Sequence, residues 1–143
     1  MHSNIALEKY LQAQENTYLQ ALSEIKSGKK QSHWIWFIFP TIATRFAPTE
    51  YNIKYALQNK QEAIDYLNHP ILGQRLIEVT TELYKSHATN IQDIFPKPDI
   101  KKIKACMTLF YKIAPEIDIF QKVLIKYFLA EFDQTTIQLV DNL

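Results

Sequence analysis

Residues 32–40 have the sequence SHWIWFIFP, which contains the longest apolar stretch of this chain. After His33 no polar residue alternates with the apolar ones, so the segment must be buried on nearly all sides. A short central strand and a buried helical turn both fit this pattern, because so short a segment does not decide between them. The stretch therefore predicts a packed core around two tryptophans and leaves its own secondary structure open.

Helical periodicity surrounds this stretch on both sides. Before it, apolar positions and one glutamine recur every three or four residues and predict one long helix over residues 5–27: Leu7, Leu11, Gln14, Tyr18, Leu22 and Ile25. Gly28 then stands where a helix end favours a positive φ. After the stretch, five residues are suited to precede helices: Thr49, Asn59, Pro70, Asn90 and Asp133. The segments 99–114 and 115–132 are also predicted to be helical.

The low glycine content excludes several fold classes. The chain has 143 residues but only 2 glycines, where average usage would give about 10. Phosphate-binding loops and dinucleotide fingerprints need glycine, so a P-loop NTPase and a Rossmann domain are excluded, and an all-β fold is disfavoured. The second glycine, Gly73, falls inside a predicted helix, which indicates that another backbone or a ligand approaches it closely. We expect an all-α protein of seven or eight helices in a single domain over residues 1–143, with at most one short strand, in the Trp-rich segment.

Charge and cysteine content restrict the partners and the compartment. The net charge is +1, and only 2 of the 16 basic residues are arginine, so no nucleic-acid partner is expected. No apolar run approaches the length of a membrane span, and the N-terminal residues lack the pattern of a secretory signal. The single cysteine, Cys106, excludes an internal disulfide and fits a small buried residue. We therefore expect a cytoplasmic protein without membrane contact.

Two lysine clusters and several isolated polar residues are candidates for a site. Lys26, Lys29 and Lys30 precede His33, whereas four lysines surround Asp99: Lys97, Lys101, Lys102 and Lys104. Either cluster fits a solvated face, but the two clusters together could also converge on an anion. His33 lies beside two indoles that could tune its pKa for acid/base work, although a backbone-bonded histidine fits equally well. No metal-ligand spacing accompanies it.

Each remaining candidate also has a structural interpretation. Gln14 lies on the apolar stripe of the first helix, where it could tie a loop backbone or face a pocket. His69 precedes a helix start and could serve as a cap. Trp34 and Trp36 suit a core or a cavity that stacks a planar ligand. Lys102 begins an apolar stripe and could reach solvent or the same pocket as His33.

The motifs resemble a bacterial domain-of-unknown-function family, number eighteen-ten. The resemblance rests on residues 28–40 (GKKQSHWIWFIFP) and continues through 55–57, 62–63 and 66–76 (YLNHPILGQRL), Lys102, residues 107–110 (MTLF) and 126–128. Members of this family are sometimes labelled "calpastatin". A calpain inhibitor of that name is a largely disordered chain, whereas 18 aromatic residues and 47% hydrophobic residues here require a packed core.

The resemblance implies a small, mainly helical bacterial protein with no established reaction. The family pattern includes residues from four separate segments: Gln14, Lys30, Ser32, His33, Trp34, Trp36, His69, Arg75, Lys102 and Thr108. Their convergence would form a concave site with a few polar groups.

Two functions are compatible with the sequence. In the first, the protein is a small-ligand-binding protein or an enzyme whose pocket accepts a planar or anionic, nucleotide-like ligand. His33 would be the catalytic acid/base, and the other family-pattern residues would bind the ligand without a metal or a cofactor. The alternative is a non-enzymatic helical interaction module. Such a module could be a homodimer, and the sequence does not decide between a monomer and a homodimer.

Overall fold

The computed structural model describes residues 5–142 and confirms the all-α fold. Within that range there are nine α-helices: α1 (Ile5–Glu15), α2 (Tyr18–Lys26), α3 (Ile35–Ile38), α4 (Glu50–Tyr55), α5 (Lys60–Asn68), α6 (Leu72–Lys85), α7 (Lys97–Ile113), α8 (Ile119–Phe128) and α9 (Gln134–Asp141). A single 3-10 turn, Ile91–Asp93, lies before α7. The described residues form no strand, and a parallel bridge joins Ile42 to Leu57.

The first predicted helix is two helices, and this explains part of the higher helix count. A turn at Asn16 and Thr17 separates α1 from α2, because both residues are poor helix formers whose side chains compete for backbone hydrogen bonds. As a result α1 packs against α3, whereas α2 packs against α6. The prediction of one continuous helix over residues 5–27 was wrong at this point.

The Trp-rich stretch contributes one buried helical turn, α3, rather than a strand. Trp34 and Phe39 flank this turn, and both are almost completely buried. The two rings pack against each other and against Phe95, with ring centres 6.1–6.2 Å apart. The core predicted around the two tryptophans is therefore present, and the stretch enters it as a helical turn.

Helix starts follow the predicted caps more closely than helix ends do. Thr49, Asn59 and Asp133 each accept a hydrogen bond from the backbone N–H three residues later, at the starts of α4, α5 and α9. Helix α7 begins at Lys97, before the predicted residue 99, because a proline is tolerated in a first turn, where its missing N–H is not needed.

Helix α8 is shorter than the predicted segment 115–132. It ends at Phe128 because Leu129 and Ala130 adopt positive φ angles of 55° and 62°. A left-handed helix end normally has glycine or asparagine, so the sequence contains no indication of this stop.

The two glycines have the roles that the sequence predicts. Gly28 has a φ of 85° and ends α2 in a Schellman motif, in which Lys29 N–H donates to the Glu24 carbonyl at 3.0 Å. Gly73 lies where α6 crosses the end of α5: a Cβ atom there would stand 1.8 Å from the Leu67 carbonyl oxygen. Only glycine permits this approach of the two helices.

The longest helix, α7, packs against α5, α8 and α9 and forms the centre of the core. Its buried face includes Ile103, Cys106, Leu109 and Phe110. Cys106 is fully buried, and this burial raises the pKa of its thiol well above the usual range. The start of α7 lies beside the Trp-rich segment. Polar residues of α7 (Asp99 and Lys102) meet polar residues at and just before the start of that segment (His33 and Lys30) there.

Candidate functional site

A pocket of about 440 Å³ lies between the Trp-rich segment and the start of α7. Its volume is within the range of small-molecule sites. Five of the ten sequence-predicted site residues line it: Lys30, His33, Trp34, Trp36 and Lys102. The structure adds Asp99, Tyr51, Ile35 and Phe37 to the walls.

The loop that forms one wall is held by a buried carboxylate that the sequence analysis missed. Glu24 accepts hydrogen bonds from the backbone N–H groups of Gln31 and Ser32, at 2.7 and 3.0 Å. It also accepts from Ser32 Oγ at 2.7 Å and from Trp34 Nε1 at 2.9 Å. These four bonds fix residues 31–34 and therefore the positions of His33 and Trp34.

The charge of Glu24 is stabilised although its side chain is buried. Burial by itself would raise the pKa of this carboxyl, but the bonds from Gln31, Ser32 and Trp34 outweigh it and lower the pKa to about 2. One indication was present in the sequence. An acidic residue in the last turn of a helix opposes the helix dipole and calls for compensating donors.

Two lysines share one carboxylate in the pocket wall. Lys30 Nζ lies 2.9 Å from Asp99 Oδ2, and Lys102 Nζ lies 3.4 Å from Asp99 Oδ1. The side chain of Lys30 is only 6% exposed and that of Lys102 only 16%. The lysine clusters of the sequence thus do meet, but only Lys30 and Lys102 take part, and Asp99 stands between them.

The two tryptophans differ in their surroundings. Trp34 is 1% exposed and belongs mainly to the core, with its indole N–H bound to Glu24. Trp36 is half-buried and packs edge-on against Phe46. The ammonium group of Lys102 lies 4.3 Å from the centre of the Trp36 ring, within the range of a cation–π contact. Trp36 is therefore the more exposed of the two indoles, and it has a cation over its ring.

His33 lines the pocket as an exposed side chain at its rim. Within residues 5–142 its imidazole makes no hydrogen bond to a backbone or side-chain group and no ion pair, in contrast to the backbone-bonded alternative that the sequence left open. Its position leaves both ring nitrogens available to a molecule in the pocket.

Gln14 and Arg75 meet each other, but not in this pocket. Gln14 is 1% exposed, and its Nε2 donates to the Phe37 carbonyl at 2.8 Å and to the Tyr66 hydroxyl at 3.0 Å. Arg75 Nη1 donates to Gln14 Oε1 at 3.3 Å, and the guanidinium lies over the Tyr18 ring. Every polar atom of the Gln14 amide is thus paired within the protein, as in the structural interpretation, although the backbone that it ties belongs to α3 rather than to a loop.

Ser32, His69 and Thr108 also make contacts that support the fold. Ser32 binds Glu24, as described above. His69 Nδ1 accepts from the N–H groups of Ile71 and Leu72 at 3.1 and 3.2 Å and so caps α6. Thr108 Oγ1 is fully buried and accepts from the Asp133 N–H at 2.9 Å, at the start of α9.

Asp133 forms a second buried ion pair, away from the pocket. Arg45 binds both of its oxygens, at 2.6 and 2.9 Å. Burial alone would raise the pKa of Asp133, but the Arg45 guanidinium and Thr136 lower it. This pair joins the loop after α3 to α9 and leaves no unpaired charge.

The part of the chain that the structure describes has neither a metal-ligand cluster nor a membrane-spanning helix. No group of three or more His, Cys, Asp or Glu side chains in the described residues is placed to hold a metal ion. Among residues 5–142, no helix has the length and apolar character needed to cross a bilayer.

Comparisons with known proteins confirm the resemblance seen in the sequence motifs. The crystal structure of the conserved hypothetical protein Rv1873 from Mycobacterium tuberculosis matches with a TM-score of 0.91 and 31% sequence identity, over 94% of this chain and 96% of that chain. No curated protein is significantly similar to the chain. A family profile described as "Protein of unknown function (DUF1810)" matches residues 4–140. The chain therefore belongs to the DUF1810 family, whose function is not established.

Proposed function

We propose that the pocket binds a small planar molecule that carries a negative charge. The observation that supports this most is the Lys30–Asp99–Lys102 cluster, in which two ammonium groups share one carboxylate. Among residues 5–142 neither lysine has another carboxylate partner, so one positive charge remains without a counter-ion in a wall that is largely shielded from water. A bound anion would supply the missing charge, and its attraction to a shielded cation is stronger than to an exposed one.

The aromatic side of the pocket suits a flat ring. Trp36 and Phe37 are half-buried, and Tyr51 is 60% exposed at the pocket mouth. Aromatic rings contribute a large contact area and favour offset stacking or edge-to-face packing with a ligand ring. Because Lys102 lies over Trp36, a ligand whose ring meets Trp36 would have its charged group beside that ammonium.

His33 is the proposed acid/base for hydrolysis or group transfer on the bound molecule. Histidine is the side-chain type that most often exchanges protons near neutral pH, and this one lies at the pocket rim. We place the reaction in the cytoplasm, since the only cysteine is a buried thiol that needs no oxidising compartment.

The experiment is a calorimetric titration with 1-naphthalenesulfonate, which combines a flat ring with a negative charge. We expect it to bind more tightly than 1-naphthol, which lacks the charge, and than methanesulfonate, which lacks the ring. K102M should weaken the sulfonate at least about tenfold, because it removes the cation beside Trp36.

The matched control is K101M, since Lys101 is the preceding residue of α7 and is exposed to solvent. It should leave the affinity within about twofold of the unmodified protein, as expected for a screened surface charge. Equal weakening by K101M and K102M, or equal binding of 1-naphthol and the sulfonate, would contradict the proposed function.

A further inference from the structure

We propose that the pocket selects ligands with a single negative charge and that Asp99 determines this selectivity. The inference rests on the proposed function and names the ligand class for the same site. Sulfonates, carboxylates and phosphodiesters belong to this class. Phosphate monoesters do not, because their second ionisation lies near pH 6 and they are dianions at pH 8.

The pocket wall contains three fixed charges, those of Lys30, Asp99 and Lys102. Asp99 is 5% exposed, and each of its two oxygens faces a different lysine. The wall therefore has two positive charges and one negative charge, which leaves a surplus of one. A single negative charge on the ligand neutralises that surplus.

A second negative charge on the ligand has no such partner among the described residues of the wall. It would lie beside the Asp99 carboxylate, and a like charge close to an anion in a water-poor site costs several-fold to many-fold in affinity. The other lysines that precede and follow Asp99 along the start of α7 do not offset this repulsion. Lys97 and Lys101 are exposed to solvent, where salt screens their charge.

The two ion pairs are unequal, and this difference assigns a separate role to each lysine. Lys30 Nζ lies 0.5 Å closer to Asp99 than Lys102 Nζ does, at 2.9 Å against 3.4 Å. Lys30 is also the less exposed of the two. We assign Lys30 to the permanent pair with Asp99 and Lys102 to the ligand, which places the anionic group beside Trp36.

The test compares two probes that share one ring system. At pH 8, 1-naphthalenesulfonate is a monoanion and 1-naphthyl phosphate is a dianion. We expect the unmodified protein to bind the sulfonate about tenfold more tightly than the phosphate, as measured by calorimetry. D99N removes the repelling charge, so it should improve the affinity for 1-naphthyl phosphate about tenfold and abolish or reverse the preference.

A charge-compensated variant separates this effect from a change in shape. K30M combined with D99N removes one positive and one negative charge and restores a surplus of one. The double variant also lacks the repelling carboxylate, so we expect it, like D99N, to lose the preference for the sulfonate although its total charge equals that of the unmodified wall. A merely structural role for Asp99 would leave both variants weakened toward both probes. His33 is present in every protein compared, so its contribution does not alter the comparison.

The outcomes separate this inference from the proposed function. Binding of neither probe by the unmodified protein would overturn both. Tight binding of the phosphate, equal to or better than that of the sulfonate, would overturn the role of Asp99 and leave the proposed function in place. The preference in the unmodified protein is measured without any substitution, so the inference stays falsifiable even if D99N does not fold.

Discussion

The polar residues around Gln14 and those around Asp99 are similarly buried, but their polar atoms differ in how completely they are paired. The amide of Gln14 uses both donor hydrogens and its oxygen for bonds within the protein. In the Asp99 group two cations share one anion. Buried polar groups in folded proteins are normally paired. This difference indicates that the Gln14 group supports the fold, and it is the basis of our proposal that the Asp99 group binds a ligand.

The largest effect is expected from breaking the Gln14 group. Q14L would leave the Phe37 carbonyl and the Tyr66 hydroxyl buried without their partner, so we expect a loss of about 3 kcal/mol in the free energy of unfolding. Urea denaturation followed by circular dichroism measures this loss. The control is Q12L, an exposed position on the same helix, which should change the free energy by less than about 0.5 kcal/mol. Equal effects of the two substitutions would contradict the assigned role of Gln14.

Glu24 joins the fold to the pocket, and its removal should have the next largest effect. E24Q removes the negative charge that the three N–H donors and the Ser32 hydroxyl stabilise, and its amide offers one acceptor oxygen instead of two. We therefore expect a loss of about 2 kcal/mol at pH 7. The matched control is E15Q at an exposed position of α1. An unchanged free energy of unfolding in E24Q at pH 7 would contradict this role, since the four hydrogen bonds to the carboxylate would then add no net stability.

The loss at Glu24 should also depend on pH. Burial opposes the charged form, yet the four hydrogen bonds hold the folded pKa at about 2, below the usual value of 4.5. A lowered carboxyl pKa adds stability that is complete above pH 4.5 and disappears as the pH falls toward 2. The difference in unfolding free energy between the unmodified protein and E24Q should therefore shrink over that interval. A difference that stays constant from pH 6 to pH 2.5 would contradict the charged state assigned to Glu24.

The smallest effects on stability are expected in the Asp99 group. K102M leaves Asp99 with its closer partner, Lys30, so the free energy of unfolding should change by less than about 0.5 kcal/mol. K30M removes the closer and more buried partner and should cost about 1 kcal/mol or more. Thermal and urea denaturation of both variants test this order. A larger loss for K102M than for K30M would mean that Lys102, rather than Lys30, is the structural partner.

Local features of the fold were predictable from the sequence because short-range chemistry determines them. The caps at Thr49, Asn59 and Asp133 need only one side chain and a backbone N–H three residues away. Gly28 likewise ends α2 through its own φ angle. The left-handed residues Leu129 and Ala130 were not predictable, since neither residue type favours a positive φ. Both are exposed, and backbone bonds close the turn: Ala130 N–H donates to the Leu124 carbonyl at 3.0 Å.

The candidate site was predictable only in part, because it joins residues that are far apart in the sequence. Composition and motifs singled out Lys30, His33 and Lys102. Whether Lys30 and Lys102 lie close together depends on how α7 packs beside the Trp-rich segment. Asp99 was visible among its lysines, yet its role depends on Lys30, 69 positions earlier. The side chains of Gln14 and Arg75 are equally suited to bind a ligand, but they lie outside the pocket because helix packing pairs them with each other.

The central claim is that a planar anion binds against Trp36, and the indole N–H signals of the two tryptophans test it most directly. The chain has 2 tryptophans, so a ¹H–¹⁵N NMR spectrum contains two indole signals, which W36F assigns. Titration with 1-naphthalenesulfonate should shift the Trp36 signal strongly and saturably. The Trp34 indole, held by Glu24 in the core, should shift much less. No saturable shift of the Trp36 signal, or the same shifts in K102M as in the unmodified protein, would contradict the claim.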